Sequence, residues 1–136
     1  MANKTKSGYE MLFAELEESG VRRIFGIPGR EAQIYKFDEM PLIDFVSLRN
    51  ESAAVICSGV YNFILDGIKS VSWTTFGPGF ANSIEGIYTC HMDGYPTLAI
   101  SAQIETNMLN PETHQYINQE KMAKEITSFS YEIKNV

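Results

Sequence analysis

The spacing of apolar residues changes several times along the chain, and each change marks an element. Leu12, Phe13 and Leu16 fall at helical spacing until Gly20 interrupts them, and Ser7 followed by Glu10 is a capping-box pattern. A helix is therefore predicted over about residues 8–19. "VRRIFGIPG" follows as a short strand ending in a Pro-Gly turn, and "EAQIYKFDEM" as a weaker helical segment closed by Pro41. "PLIDFVSLRN" is apolar on both faces over most of its length, the pattern of a strand covered on both sides.

From Ser52 to Leu65 the residues are apolar or small almost all the way round, and Asp66-Gly67 ends the run. A helix without a polar face is buried on all sides or lies in an interface. So small a domain has little room for a fully internal helix, and a partner surface is expected there. Val71, Trp73 and Thr75 then alternate as a strand. Beyond Gly77-Pro78-Gly79, a helix carries Phe80, Ile84, Ile87, Tyr88 and His91 on one stripe, which makes a structural role the better reading of His91. "TLAISAQI" has the look of a central strand, a helix is expected from about His114, and "SFSYEIKNV" is a candidate last strand. Strands alternating with helices imply βαβ units. The expected class is α/β: an open, doubly wound, mostly parallel sheet with helices on both faces, in three layers.

A length of 136 residues suits one domain with a real core. With 44% hydrophobic and 21% charged residues, the composition excludes a disordered chain. A net charge of −6 argues against nucleic acid, where affinity comes largely from neutralising phosphates. No run approaches the roughly 18 apolar residues of a membrane span, and "MANKTKSGYE" lacks the apolar core of a signal peptide, so the expected compartment is the cytoplasm. Cys57 and Cys90 share no metal-type or redox spacing and are expected as reduced core thiols. In a cytosolic chain the sequons "NKT" and "NES" carry no meaning.

In open α/β sheets ligands bind beyond the carboxyl ends of the strands, which singles out the turns "FGIPGRE", "SLRNESAA" and "TTFGPGFAN". The last is a poor dinucleotide fingerprint, since Asn82 stands where a third glycine belongs and no acidic residue ends a strand some twenty positions on. Taken alone it is a tight turn that needs glycine. Glu51, just after a strand and opening the most apolar helix, has two readings. It complements the helix dipole as a solvated carboxylate, or it shares a proton with a bound ligand. Local sequence leaves both open.

Taken together, the turns resemble the pyrimidine-binding (PYR) domain of the thiamine diphosphate enzymes, the family of acetolactate synthase, pyruvate oxidase and benzaldehyde lyase. The family's succession of "FGIPG", "RHEQGA", "TSGPGATN", "D..P...I.GQ" and "FQE.D" meets "RIFGIPG", "LRNESAA", "TTFGPGFAN", "DGYPTLAISAQI" and "THQYINQ" here, in order and over about residues 7–133. The resemblance implies that Glu51 hydrogen-bonds N1′ of the cofactor's aminopyrimidine and favours its imino tautomer. It implies that Pro28, Thr75, Gly77, Pro78, Gly79 and Asn82 line the cofactor pocket. The Gly-Pro-Gly turn would lay a flat backbone edge along the ring. His114 and Gln115 fall where relatives face the substrate.

The chain also departs from the family. Asn50 stands in place of the usual His, Arg30 where glycine is common, and Phe76 where a small residue is usual. The family's GDG…N motif, which holds magnesium and the diphosphate in a second domain, has no counterpart, and the PYR domain's final helix and strand are missing from residues 1–136. The resemblance thus implies a pyrimidine-binding subunit or fragment of a lyase or synthase acting on a 2-keto acid. It would share thiamine diphosphate with a diphosphate-binding (PP-type) partner that holds Mg2+, in a homo- or hetero-oligomer. The alternative is a non-catalytic PYR-like binding or regulatory module.

Overall fold

The computed structural model describes residues 7–31, 41–110 and 112–134. Helix α1 spans Gly8–Glu18, and the Glu10 carboxylate accepts from both the Ser7 N–H and its hydroxyl at 2.7 Å. Strand β1 is Arg23–Gly26, β2 Asp44–Ser47, helix α2 Glu51–Ile64, β3 Ser70–Thr74, α3 Pro78–Asp93, β4 Ala99–Ser101 and α4 Gln119–Ala123. The strands form one four-stranded sheet in the order β2-β1-β3-β4, and every neighbouring pair is parallel. The expected α/β class with a parallel sheet holds. No described helix is long and apolar enough to cross a membrane.

Side chains of β3 alternate between two environments, and this assigns the helices to opposite faces. Val71 and Trp73 join Phe13 and Leu16 of α1, together with Val21 and Ile24, in one apolar cluster, with the Phe13 and Trp73 rings 5.9 Å apart. Ser70 points the other way, to Ser58 and Asn62 of α2. On β1 the same alternation sends Ile24 to the α1 cluster and Phe25 to Tyr61 of α2, with ring centroids 5.7 Å apart. A second cluster, of Val55, Phe80, Ile87, Cys90 and Ala123, joins α2, α3 and α4.

Several expectations are corrected. "PLIDFVSLRN" is not covered on both sides: β2 flanks the described sheet, Asp44 and Ser47 are exposed, and Phe45 and Val46 are half-buried. β4 is likewise a flanking strand of three residues and not a central one. Helix α2 buries a face of small and polar residues, Ser52, Ala54, Val55, Ser58, Gly59 and Asn62, while Phe63 and Ile64 are exposed. Small side chains let α2 lie close to the sheet and to α3, which pushes its bulky residues outward. On α3 the buried stripe is Phe80, Ser83, Gly86, Ile87 and Cys90, so Tyr88 and His91 face outward and His91 has no core role. Cys90 is buried as expected, but Cys57 is exposed.

The helix expected from His114 begins only at Gln119, where the Asn118 side chain accepts from the Lys121 N–H at 2.8 Å. Gln115 has φ +65°, which a right-handed helix does not admit. Residues 128–134 form no strand. Most of the segment "EAQIYKFDEM" lies outside the described residues; Glu31 at its start stands in a turn.

Candidate functional site at the strand ends

The chain enters the sheet at β1, adds β2 on one side, and then crosses to place β3 and β4 on the other. The carboxyl ends of β1 and β3 therefore stand side by side where the winding reverses, the place where open α/β sheets bind ligands. Pro28, Gly29 and Glu31 follow β1, and Thr75 to Gly79 follow β3. Glu51 opens α2, the helix that runs back across the sheet from β2.

Asn50 caps α2, its Oδ1 accepting from the Ala53 N–H at 2.8 Å, so Glu51 is the first helical residue. Glu51 is half-buried. Its Oε2 lies 3.5 Å from Asn82 Nδ2, and its Oε1 lies 3.7 Å from where a Cβ on Gly79 would stand. Two further bonds lock this arrangement: the Ser52 hydroxyl donates to the Asn82 carbonyl at 2.6 Å and accepts from the Gly86 N–H at 3.1 Å. The α2 and α3 N-termini are thereby held in one register. An acid at the head of one helix faces an amide one turn into the other.

The glycines of the turn have separate reasons. Gly77 is the N-cap of α3 with φ +64° and ψ −118°, a conformation closed to other residues, and a Cβ there would strike the Gln115 backbone carbonyl. At Gly79 a Cβ would sit 2.5 Å from Thr75 Cγ2. Both needs arise within the chain itself. Pro78, at the first helical position, gives α3 a fixed φ where its missing N–H costs nothing.

The structure thus brings together Glu51, Thr75, Gly77, Gly79 and Asn82, and adds Gln115 through its backbone. Pro28 and Pro78 stand exposed beside them, while the side chains of His114 and Gln115 are exposed on the neighbouring turn. Behind that turn, the Ser101 hydroxyl donates to Gln119 Oε1 and Gln119 Nε2 to the Ala102 carbonyl, both at 2.9 Å, fastening α4 to β4. Sequence reasoning passed over Ser52, Gln119 and, above all, Glu31. Glu31 is 5% exposed, and its Oε2 accepts from the Thr75 hydroxyl at 3.1 Å. The only signal for it was an acidic residue two positions after the Pro28-Gly29 pair at a strand's end.

Among the described residues no group of three or more His, Cys, Asp or Glu is placed to hold a metal ion. The donors present are a carboxyl, an amide and main-chain groups against a glycine turn. They gather at the switch point of a parallel sheet, the place where α/β domains bind ligands.

The chain belongs to the thiamine pyrophosphate enzymes: the profile of their N-terminal TPP binding domain matches residues 6–125. It is 32% identical over 132 residues to the acetolactate synthase isozyme 3 large subunit of Escherichia coli K12, covering 94% of this chain and 22% of that protein. It is 29% identical over 135 residues to the acetolactate synthase large subunit of Pyropia yezoensis (96% and 23%). With the catabolic acetolactate synthase of Raoultella terrigena the figure is 30% over 129 residues (93% and 22%). The chain thus spans less than a quarter of the length of these relatives. Its fold matches an X-ray structure from Mycobacterium smegmatis, assigned to the thiamin diphosphate-dependent enzymes, with a TM-score of 0.82 at 16% identity, over 93% of this chain and 25% of that one.

Proposed function

We propose that this chain is the pyrimidine-binding part of a thiamine diphosphate-dependent lyase or synthase acting on a 2-keto acid. The observation that carries the reading is the Glu51 carboxyl, held at the sheet's switch point against Gly79 and Asn82. When bound, thiamine diphosphate supplies the electron sink that 2-keto acid chemistry needs. Glu51 offers a proton-sharing carboxyl to the aminopyrimidine, Asn82 orients that carboxyl, and the turn at Gly77 to Gly79 presents main chain to the ring. Thr75, pressed against Gly79, fixes the turn's distance from β3. In this reading the diphosphate and Mg2+ fall to a PP-type partner domain or subunit in a cytoplasmic oligomer.

The test combines this chain with a diphosphate-binding partner, thiamine diphosphate, Mg2+ and pyruvate. Glu51→Gln should lower turnover by about 100-fold or more, the usual scale of a lost proton-transfer group. Unchanged turnover would remove Glu51 from its role. Cofactor uptake with no turnover in the wild type would favour a non-catalytic binding module.

A further inference from the structure

Glu31 is a carboxyl in a place where carboxyls are costly. It is buried, its Oε2 takes the Thr75 hydroxyl at 3.1 Å, and its Oε1 is buried with no hydrogen-bond partner. The space it occupies is built for it. A Cβ on Gly29 would meet the two Glu31 carboxyl oxygens at 2.5 and 2.6 Å and Thr75 Cβ at 2.8 Å, so the missing side chain of Gly29 makes the room. Thr75 in turn packs against Gly79, next to Glu51 Oε1. Glu31 thus bonds the threonine that packs on Gly79, and Glu51 lies near that same glycine.

Buried polar atoms in folded proteins are nearly always partnered, and an exception calls for a specific cause. A carboxyl oxygen kept dry without a donor lowers stability, and a chain that kept it only for packing would do better with an apolar side chain of the same size. We infer that Glu31 is a second ligand-accepting carboxyl of this site, whose Oε1 receives an N–H or O–H donor from the small molecule bound between the β1 and β3 turns. The inference rests on the thiamine diphosphate reading, in which the cofactor's amino group brings such a donor, whereas a 2-keto acid anion brings only acceptors.

The test uses the assembled protein containing this chain and compares wild type, Glu31→Met and Glu31→Gln. Thiamine diphosphate binding is measured by calorimetry with Mg2+, KM is measured for pyruvate, and thermal melting is followed without ligand. The methionine variant, similar in size but without acceptors, should bind about tenfold more weakly, as expected for one lost hydrogen bond to a charged group. Its ligand-free melting temperature should be equal to or above that of wild type. The glutamine variant keeps shape and one acceptor, and should lose about threefold, because neutral acceptors are roughly half as strong. The cofactor's dissociation constant should move with Glu31; a rise in KM alone, with that constant unchanged, overturns the inference, since the keto acid has no donor to give. A lowered melting temperature with both constants unchanged makes Glu31 a packing residue and overturns the inference. If the methionine variant does not fold, the glutamine variant decides by the same constants. Wild-type protein that takes up no thiamine diphosphate overturns the parent reading and this one together, whereas normal uptake that is indifferent to Glu31 overturns this one alone.

Discussion

The two ends of helix α2 treat polar side chains in opposite ways. At the C-terminal end Asn62 is fully buried, and its amide is saturated. Nδ2 donates to the Ser70 and Pro96 carbonyls at 3.1 and 2.9 Å, and Oδ1 accepts from the Lys69 and Ser70 N–H groups at 2.9 and 2.7 Å. An amide has two donor hydrogens and two acceptor sites, and all are used. At the N-terminal end Glu51 is half-buried, and its recorded partner is Asn82 at 3.5 Å, the outer limit of a hydrogen bond. Saturation rigidifies one end. Unused acceptor capacity at the other leaves a carboxyl able to take a proton or a donor from outside the chain. A polar group serving the fold spends its bonds inside the protein, whereas one kept for a ligand holds them back.

The largest expected effect falls on the saturated end. Asn62→Ala strands two backbone N–H groups and two carbonyls near β3, and should lower unfolding free energy by about 4 kcal/mol in denaturant titration. A loss under about 1 kcal/mol would mean that solvent reaches these groups and the contrast fails. Next comes Gly77→Ala, which forces a side chain into a φ of +64° and onto the Gln115 carbonyl. A loss of about 2 kcal/mol is expected, measured in the same way. Glu51→Gln should move stability by no more than about 0.5 kcal/mol, in keeping with a half-exposed group that makes no strong internal bond. A large loss there would recast Glu51 as structural.

The smallest effects concern the thiols. Burial, with some help from the Asp93 charge and against a Thr97 hydrogen bond, pushes the Cys90 thiol above its ordinary value of 9.0. The folded chain thus holds this proton more tightly than the unfolded chain. The stability this confers is fully present below the unfolded value and is lost as pH rises through the folded one. Denaturation midpoints should therefore fall at alkaline pH, with a shallower slope in Cys90→Ala. At neutral pH a thiol reagent should label the exposed Cys57 and spare Cys90, as mass spectrometry would show.

Much of the architecture was legible because its signals are local. The Ser7–Glu10 cap, the alternation around Val71 and Trp73, and the Gly-Pro-Gly turn before α3 each depend on neighbours in sequence, and each stands where expected. Burial was less legible. Whether "PLIDFVSLRN" or "TLAISAQI" is central depends on strand order, and strand order is made of contacts between residues far apart in the chain. The apolar pattern of α2 likewise concealed that its inner face is small and polar, because the close approach of α3 and β3 selects side-chain size there. The helix expected at His114 was stopped by the backbone of Gln115, packed on Gly77 nearly forty positions earlier.

By itself, then, the order of residues determined the class of fold and most of the described elements as far as α3, since propensity, capping and periodicity act over a few residues. Only the tertiary structure decided which of the strand-end turns meet, that a carboxyl bonds Thr75, and that this carboxyl, of Glu31, is buried with an oxygen to spare. These are properties of side chains brought together across the sheet, where distance in space no longer follows distance along the chain.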